Sequence, residues 1–324
     1  MQVNRKLQSH TRSAAPFGRQ TTLFAGLALV AAAFSEPVGG QVVAEIAPSP
    51  TAAATTSQLD LLSGLDLSAL DPKARAAVSA SLARWRALEP LPQGRWLLVN
   101  IPAYRIALYD GAARLGSWRA ILGKPRTPTP TFTGQARGVI LNPWWEVPAS
   151  IVAESVGRLL ARNPKRAAAQ GYVREGSRYR QAPGPANQLG RMKLDFRNAH
   201  SVGIHDTPSK PLFEREKRAF SHGCIRVDDP MGFAATLLGP PASRDSLQAF
   251  VDNSRETKTL PFAEPIPVIV TYLTAEVGDD GTLTVHDDVY RRDGTQTGAL
   301  SGALSGALSG MSTAGTTTTD CLAD

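Results

Sequence analysis

Apolar positions along the chain change period several times, and the changes mark out its elements. "LDPKARAAVSASLARWRALEPLP" (residues 70–92) opens with Asp71 as an N-cap and Pro72 at the first helical position. Its Ala/Leu-rich run predicts a helix to about Leu88, stopped by Pro90 and Pro92. From Arg95 the texture turns to short apolar runs. "RWLLVNIPAYRIALYDGAARLGSWRAILG" reads as strands separated by turns, with Asp110-Gly111 as a hairpin signal. "GVILNPWWEVPAS" adds a strand that runs into a Pro-bounded turn. Residues 150–172 carry the main amphipathic helical interruption, with Ser150 as N-cap and a break at Asn163-Pro164. "SVGIHDTP" and "CIRVDD" read as strand ends, and "PMGFAATLLG" as a helix closed by Gly239. "PVIVTYLTAEVGDDGTLTVHDD" closes the unit with a hairpin at Asp280-Gly281. Irregularly spaced strands with a few helices predict a mainly β (α+β) fold over about 95–292.

The flanks read differently. Arg5, Lys6, Arg12 and Arg19 precede the 12-residue apolar run "LFAGLALVAAAF" (Leu23–Phe34), and Ala31-Ala32-Ala33 offers a small-residue cleavage site. That layout predicts an export signal over 1–40, the run being shorter than the roughly 20 residues of a membrane span. An uncleaved anchor to the inner membrane is the alternative. Residues 41–70, including the Pro/Ala/Thr-rich Pro48–Gln58, read as a linker, and 71–94 as a helix packing on the following domain. The repeating "GALSGALSGALSG" (Gly298–Gly310) makes 293–324 a low-complexity tail without a core.

Export gives the charge and the cysteines their meaning. The net charge of +7 suits an acidic partner, and export to the periplasm directs it away from nucleic acid. Of the two cysteines, Cys321 sits near the end of the tail, so a bridge to Cys224 is not the expectation. An unpaired cysteine in an oxidising compartment calls for a chemical reason. A thiol becomes a nucleophile when an imidazole takes its proton. His222 stands two positions before Cys224 and His205 nineteen, and the residues alone favour neither. Gly223 lets the chain bend beside Cys224, so N–H groups there are candidate oxyanion donors. Arg226 offers a planar fork for a substrate carboxylate. A zinc site built from His200, His205, His222 and Cys224 lacks paired-ligand spacing, so no metal is expected.

His205, 15 intervening residues and then "SHGCIRV" resemble the signature of the L,D-transpeptidase (YkuD-type) catalytic domain. "GKPRTPTPTFTG", "LNPWWEVP", "QAPGPANQLGRMKLDF" and "IHDTPSKPLF" are similar to the large Gram-negative branch of that family, in order, over about 95–290. The resemblance implies a β-sandwich or barrel-like catalytic domain, with Cys224 as nucleophile and His205 as proton donor and acceptor. His205 would be oriented by a backbone carbonyl, while Ser221, His222 and Gly223 shape the nucleophile loop and oxyanion site. It implies peptidoglycan stem peptides as acyl donor and acceptor, a thioester intermediate, no cofactor and no obligate protein partner. A 3→3 cross-link is the expected product. The same thioester also allows 1→3 linkage, hydrolysis, D-amino-acid exchange or protein attachment, and a non-catalytic peptidoglycan binder is the alternative of another class.

Residues 151–193 correspond to that branch's substrate-capping insertion, here abbreviated and expected to be helical. They hold nine Arg or Lys against Glu154 and Glu175, a balance that fits an acidic ligand. Arg226, Trp145 and Tyr172 are the expected substrate contacts, with Trp144 and Trp145 forming an apolar wall. Residues 41–94 are too short for the wall-binding module that large relatives carry.

Overall fold

The computed structural model describes residues 57–278 and 280–294. The export signal, most of the linker, the repeat tail and Cys321 lie outside them. In chain order the elements are α1 (Gln58–Ser63), α2 (Pro72–Leu88), β1 (Arg95–Asn100), β2 (Arg105–Asp110), β3 (Ala113–Gly123), β4 (Phe132–Leu141) and β5 (Trp145–Glu146). Then come α3 (Ala149–Ile151), a π-helical stretch (Val152–Val156), α4 (Gly157–Arg162), α5 (Pro164–Ala169), β6 (Tyr172–Glu175) and β7 (Arg178–Gln181). The chain continues through β8 (Met192–Arg197), β9 (Ile204–His205), β10 (Ala219–Ser221), β11 (Ile225–Val227), α6 (Pro230–Leu238) and α7 (Arg244–Asn253). It closes with β12 (Lys258–Thr271), β13 (Ala275–Val277) and β14 (Leu283–Val285).

The main sheet runs β10-β3-β11-β9-β8-β4-β12-β1-β2, and β2 also pairs with β3. This second pairing closes the sheet into a barrel-like ring, leaving β10 on the flank of β3. The 11-residue length of β3 makes closure possible: Ala113–Arg119 pair with β2, and Ala120 and Ile121 pair with β11. The fold is therefore the sheet-rich mixed class that the strand pattern predicts.

Period-2 alternation explains why the strands read as unbroken apolar runs. In "RWLLVN", Leu97 and Val99 face the ring interior, while Trp96 and Leu98 face a second apolar cluster outside it. β12 divides in the same way, Val268 and Val270 inward and Ile269 outward. Both faces are covered, so neither needs polar residues. The outer cover is α1, α2 and the β13–β14 hairpin, which bury Leu62, Val78, Leu82 and Trp85. Helix α2 begins where expected: Asp71 accepts the Ala74 N–H at 2.9 Å, with Pro72 in the first turn.

Two stretches differ from expectation. The second half of the presumed linker is folded. Ser57 caps α1, Leu62 is fully buried, and Gln58 exchanges two hydrogen bonds with the Val277 backbone at 2.6 and 3.0 Å. Leucines at 59, 61, 62, 65, 67 and 70 supply an apolar face that the Pro/Ala/Thr composition upstream obscures. Helix α7, which the sequence pattern left unassigned, starts at a Ser243–Ser246 capping box and buries Leu247 and Val251 one turn apart.

The insertion also departs from a purely helical cap. Its helix starts after Pro148, with no side-chain cap, so Ser150 lies inside the helix. Asn163 does end the first helix and caps α5 by accepting the Arg166 N–H at 3.1 Å. It also contributes β6 and β7, joined in "YVREGSRYRQ" (residues 172–181) by a turn at Gly176, φ +63°, and these pair with β5 in a three-stranded sheet of order β5-β7-β6.

Candidate active site

Strands β9 and β11 are parallel neighbours, with Ile204 opposite Ile225 and His205 opposite Arg226. Continuing the register back one residue sets Cys224 beside Gly203. There the Gly203 N–H donates to Sγ at 3.3 Å and the Ile225 N–H donates to the Gly203 carbonyl at 2.9 Å. Positions two apart on a strand share a face, so His205 projects on the same face as Cys224. Of the two histidines considered, His205 is the one that the register sets on the thiol's face.

His205 is fully buried. Its Nδ1 bonds the backbone carbonyl of Asp206. A carbonyl only accepts, so Nδ1 carries the hydrogen and Nε2 keeps its lone pair. Nε2 is itself buried and has no hydrogen-bond partner. An imidazole held by one nitrogen, with the basic nitrogen unspent on the thiol's face, is the geometry of a general base.

The turn before the cysteine is tightly fixed. The Ser221 hydroxyl donates to the Cys224 carbonyl at 2.6 Å and accepts the Gly223 N–H at 3.1 Å. Thr129 ties the same turn to β3, donating to the Gly223 carbonyl at 2.8 Å and accepting the Gly123 N–H at 2.9 Å. Gly223 sits at φ +117°, which L side chains rarely adopt. The Gly223 N–H, expected among the oxyanion donors, is given to the Ser221 hydroxyl in this structure. His222 turns away toward the insertion, with its Nε2 3.4 Å from Glu154 Oε2 in the π-helical stretch.

The insertion seals the thiol. Cys224, only 3% exposed, belongs to a buried apolar cluster with Trp145, Val147, Ile151, Val156, Ala167, Tyr172 and Leu189. Trp145 and Tyr172 meet edge to face at 6.4 Å, and burial pushes the Tyr172 phenol up. Trp145, Tyr172 and Arg226, the expected substrate contacts, are all buried, at 1%, 8% and 1% exposure. Trp144 instead lies under the Arg180 guanidinium at 4.4 Å, and Arg180 also pairs with Glu146 and Glu175.

Two amides that the sequence reading passed over fasten the insertion. Gln181 and Asn187 are buried. Gln181 donates to the Gln170 and Ala186 carbonyls, and Asn187 to those of Pro143, Gln181 and Ala182, all at 2.8–3.1 Å. Amides inside the Pro/Gly-rich "QAPGPANQ" loop were the available signal, because such a loop cannot satisfy its own carbonyls. Among the described residues, no group of three His, Cys, Asp or Glu is placed to hold a metal ion, and no helix is long and apolar enough to cross a membrane.

The structure thus combines a closed β ring with a capped cysteine just before β11 and a carbonyl-anchored histidine on the parallel neighbour β9. The chain belongs to the L,D-transpeptidase catalytic-domain family (YkuD), whose model matches residues 94–266. A Haemophilus influenzae protein provisionally named an L,D-transpeptidase is 28% identical over 219 residues, covering 61% of this chain and 44% of that protein. The chain thus spans less than half the length of that relative. Among solved structures, a Mycobacterium smegmatis L,D-transpeptidase is 17% identical, covering 55% of this chain and 58% of that one, with a TM-score of 0.29. An Enterococcus faecium L,D-transpeptidase mutant is 17% identical, covering 56% and 51%, with a TM-score of 0.28.

Proposed function

We propose that this protein is a peptidoglycan L,D-transpeptidase of the bacterial envelope that acts through a thioester on Cys224. The observation that carries the reading is the buried His205, anchored through Nδ1 to the Asp206 carbonyl, with an unpartnered Nε2 on the face that bears the thiol. In the acylation half, Nε2 takes the thiol proton and the sulfur attacks the carbonyl of an amide between an L- and a D-configured centre of a stem peptide. The tetrahedral intermediate collapses as His205 returns the proton to the departing amine, leaving the thioester. In the second half, an acceptor amine attacks the thioester, His205 takes its proton, and the cysteine is released.

The cap supports transfer over hydrolysis. A thiol buried among apolar side chains excludes bulk water, so the thioester persists until an amine enters. Arg158, Arg162, Lys165 and Arg166 lie exposed on the cap helices, a charge distribution matched to a carboxylate-rich wall peptide. The acyl donor is a tetrapeptide stem, the product a 3→3 cross-link, and the site of action the periplasm, reached through the N-terminal signal.

The test is incubation of the purified protein with sacculi, followed by muramidase digestion and mass spectrometry of the fragments. Wild-type protein should produce 3→3 dimers, and Cys224→Ala none. Dimers joined through the first stem residue would instead assign 1→3 linkage. Absence of any new product from folded wild-type protein would refute the transferase reading.

A further inference from the structure

Beside His205 the fold places a buried carboxylate for which the two acyl-transfer steps have no use. Asp206 is 3% exposed, and both of its oxygens are engaged. Oδ2 accepts the Arg191 N–H at 2.8 Å, while Oδ1 accepts the Thr207 N–H at 2.6 Å and pairs with the Lys210 ammonium. The Asp206 N–H in turn donates to the Met192 carbonyl at 2.8 Å. The chain leaves no slack here: a Cβ at Gly190 would lie 2.3 Å from the carboxylate.

What these contacts hold is the peptide unit joining 206 to 207. Its N–H is the one given to Oδ1, and its carbonyl is the one that receives His205 Nδ1. A peptide unit is planar, so fixing the direction of the N–H also fixes the direction of the carbonyl. Resting on the base assignment made above, we infer that Asp206 is a positioning residue for catalysis. It works through its own backbone: the carboxylate, steadied by Lys210 and the Arg191 N–H, sets the carbonyl that selects the His205 tautomer and aims Nε2 at Cys224. A third acidic member of a cysteine–histidine pair ordinarily touches the imidazole with its side chain. Here the side chain holds the peptide plane, and the plane holds the imidazole.

The experiment uses the full chain with Asp206→Ala, Asp206→Asn and Lys210→Met, with His205→Ala as reference. Two readouts are taken: kcat and KM for transfer from a tetrapeptide donor, and the ratio of Cys224 alkylation rates by iodoacetamide at about pH 6.5 and about pH 9. At the higher pH the thiol ionises without help, so the ratio isolates the contribution of the base. Loss of a group that orients a reacting side chain at one remove costs about 10- to 100-fold, and Asp206→Ala should lose that much kcat with KM within about twofold. Its alkylation ratio should fall toward that of His205→Ala. Asp206→Asn keeps an acceptor for the Thr207 N–H and should recover part of both losses, and Lys210→Met should show the smaller loss expected for an outer support. If Asp206→Ala does not fold, the other two variants decide the matter. Folded Asp206→Asn and Lys210→Met with wild-type kcat and wild-type ratio would overturn the inference while leaving His205 as base. A wild-type ratio equal to that of His205→Ala would instead remove the base assignment, and the inference with it.

Discussion

Ile151 tests whether the cap gates the thiol. It is 2% exposed, one residue before the π-helical stretch, and shares the buried cluster with Cys224. Truncating a buried isoleucine to alanine costs about 2–5 kcal/mol, and the lower figure suits a short element whose neighbours can relax. If that loss of about 2 kcal/mol falls on the closed cap, the open population rises roughly 30-fold, since every 1.4 kcal/mol is tenfold. A thiol only 3% exposed reacts through the open form, so Ile151→Ala should speed Cys224 alkylation by a similar factor under native conditions. Ile269→Ala is the control. Ile269 is equally buried, but it lies in the cluster beneath α2, on the far side of β12 from the ring interior. It should lower overall stability and leave the thiol rate within about twofold, because local opening there does not uncover the sulfur. Equal rates for both variants and wild type would refute the reasoning, for the cap would then not control access.

Other substitutions carry distinct expectations. Gly223→Ala meets no atom closer than 3.8 Å yet must hold φ +117°, so it should cost about 1–3 kcal/mol and distort the nucleophile turn. Transfer should fall while the fold, read by circular dichroism, survives. Asp293→Ala leaves the 5%-exposed Arg84, whose Nη1 lies 2.8 Å from that carboxylate, with only the Arg292 carbonyl and the Tyr272 ring, and urea unfolding should show a loss of about 3 kcal/mol, the low end for a broken buried pair. Burial pushes the Glu276 carboxyl up, but the His286 hydrogen bond and charge, Arg105 and Asn100 outweigh it and hold it below the usual carboxylate range. Its contribution is therefore complete above the unfolded carboxylate value of about 4.3 and is lost as pH falls through the lower folded value. Acid unfolding of Glu276→Gln should accordingly be flatter below about pH 4 than that of wild type.

Legibility along the chain followed the range of the forces involved. The α2 cap, the Asp110-Gly111 and Asp280-Gly281 hairpins and the Gly239 stop are local, and each is written in two to four adjacent residues. Ring closure is not, because it depends on β3 being long enough to serve two partners far apart in sequence. The residues alone did not pair Cys224 with His205; only the resemblance, carried by a short motif and its spacing, did so. Residues that act through geometry escaped notice. Glu154 looked like a minority charge in a basic segment until the π-helical stretch brought it to His222. The tie between the Ser221 hydroxyl and the Gly223 N–H is of the same kind. The burial of Arg226, Trp145 and Tyr172 was equally hidden, because it depends on the folded cap and ring and not on residue type.

The central claim concerns one sulfur and one imidazole, and acylation by a carbapenem, read by intact mass, tests it most directly. Wild-type protein should gain a single adduct that peptide mapping assigns to Cys224, formed far more slowly in His205→Ala and not at all in Cys224→Ala. An adduct that persists in Cys224→Ala, or His205→Ala acylated at the wild-type rate, would contradict the account.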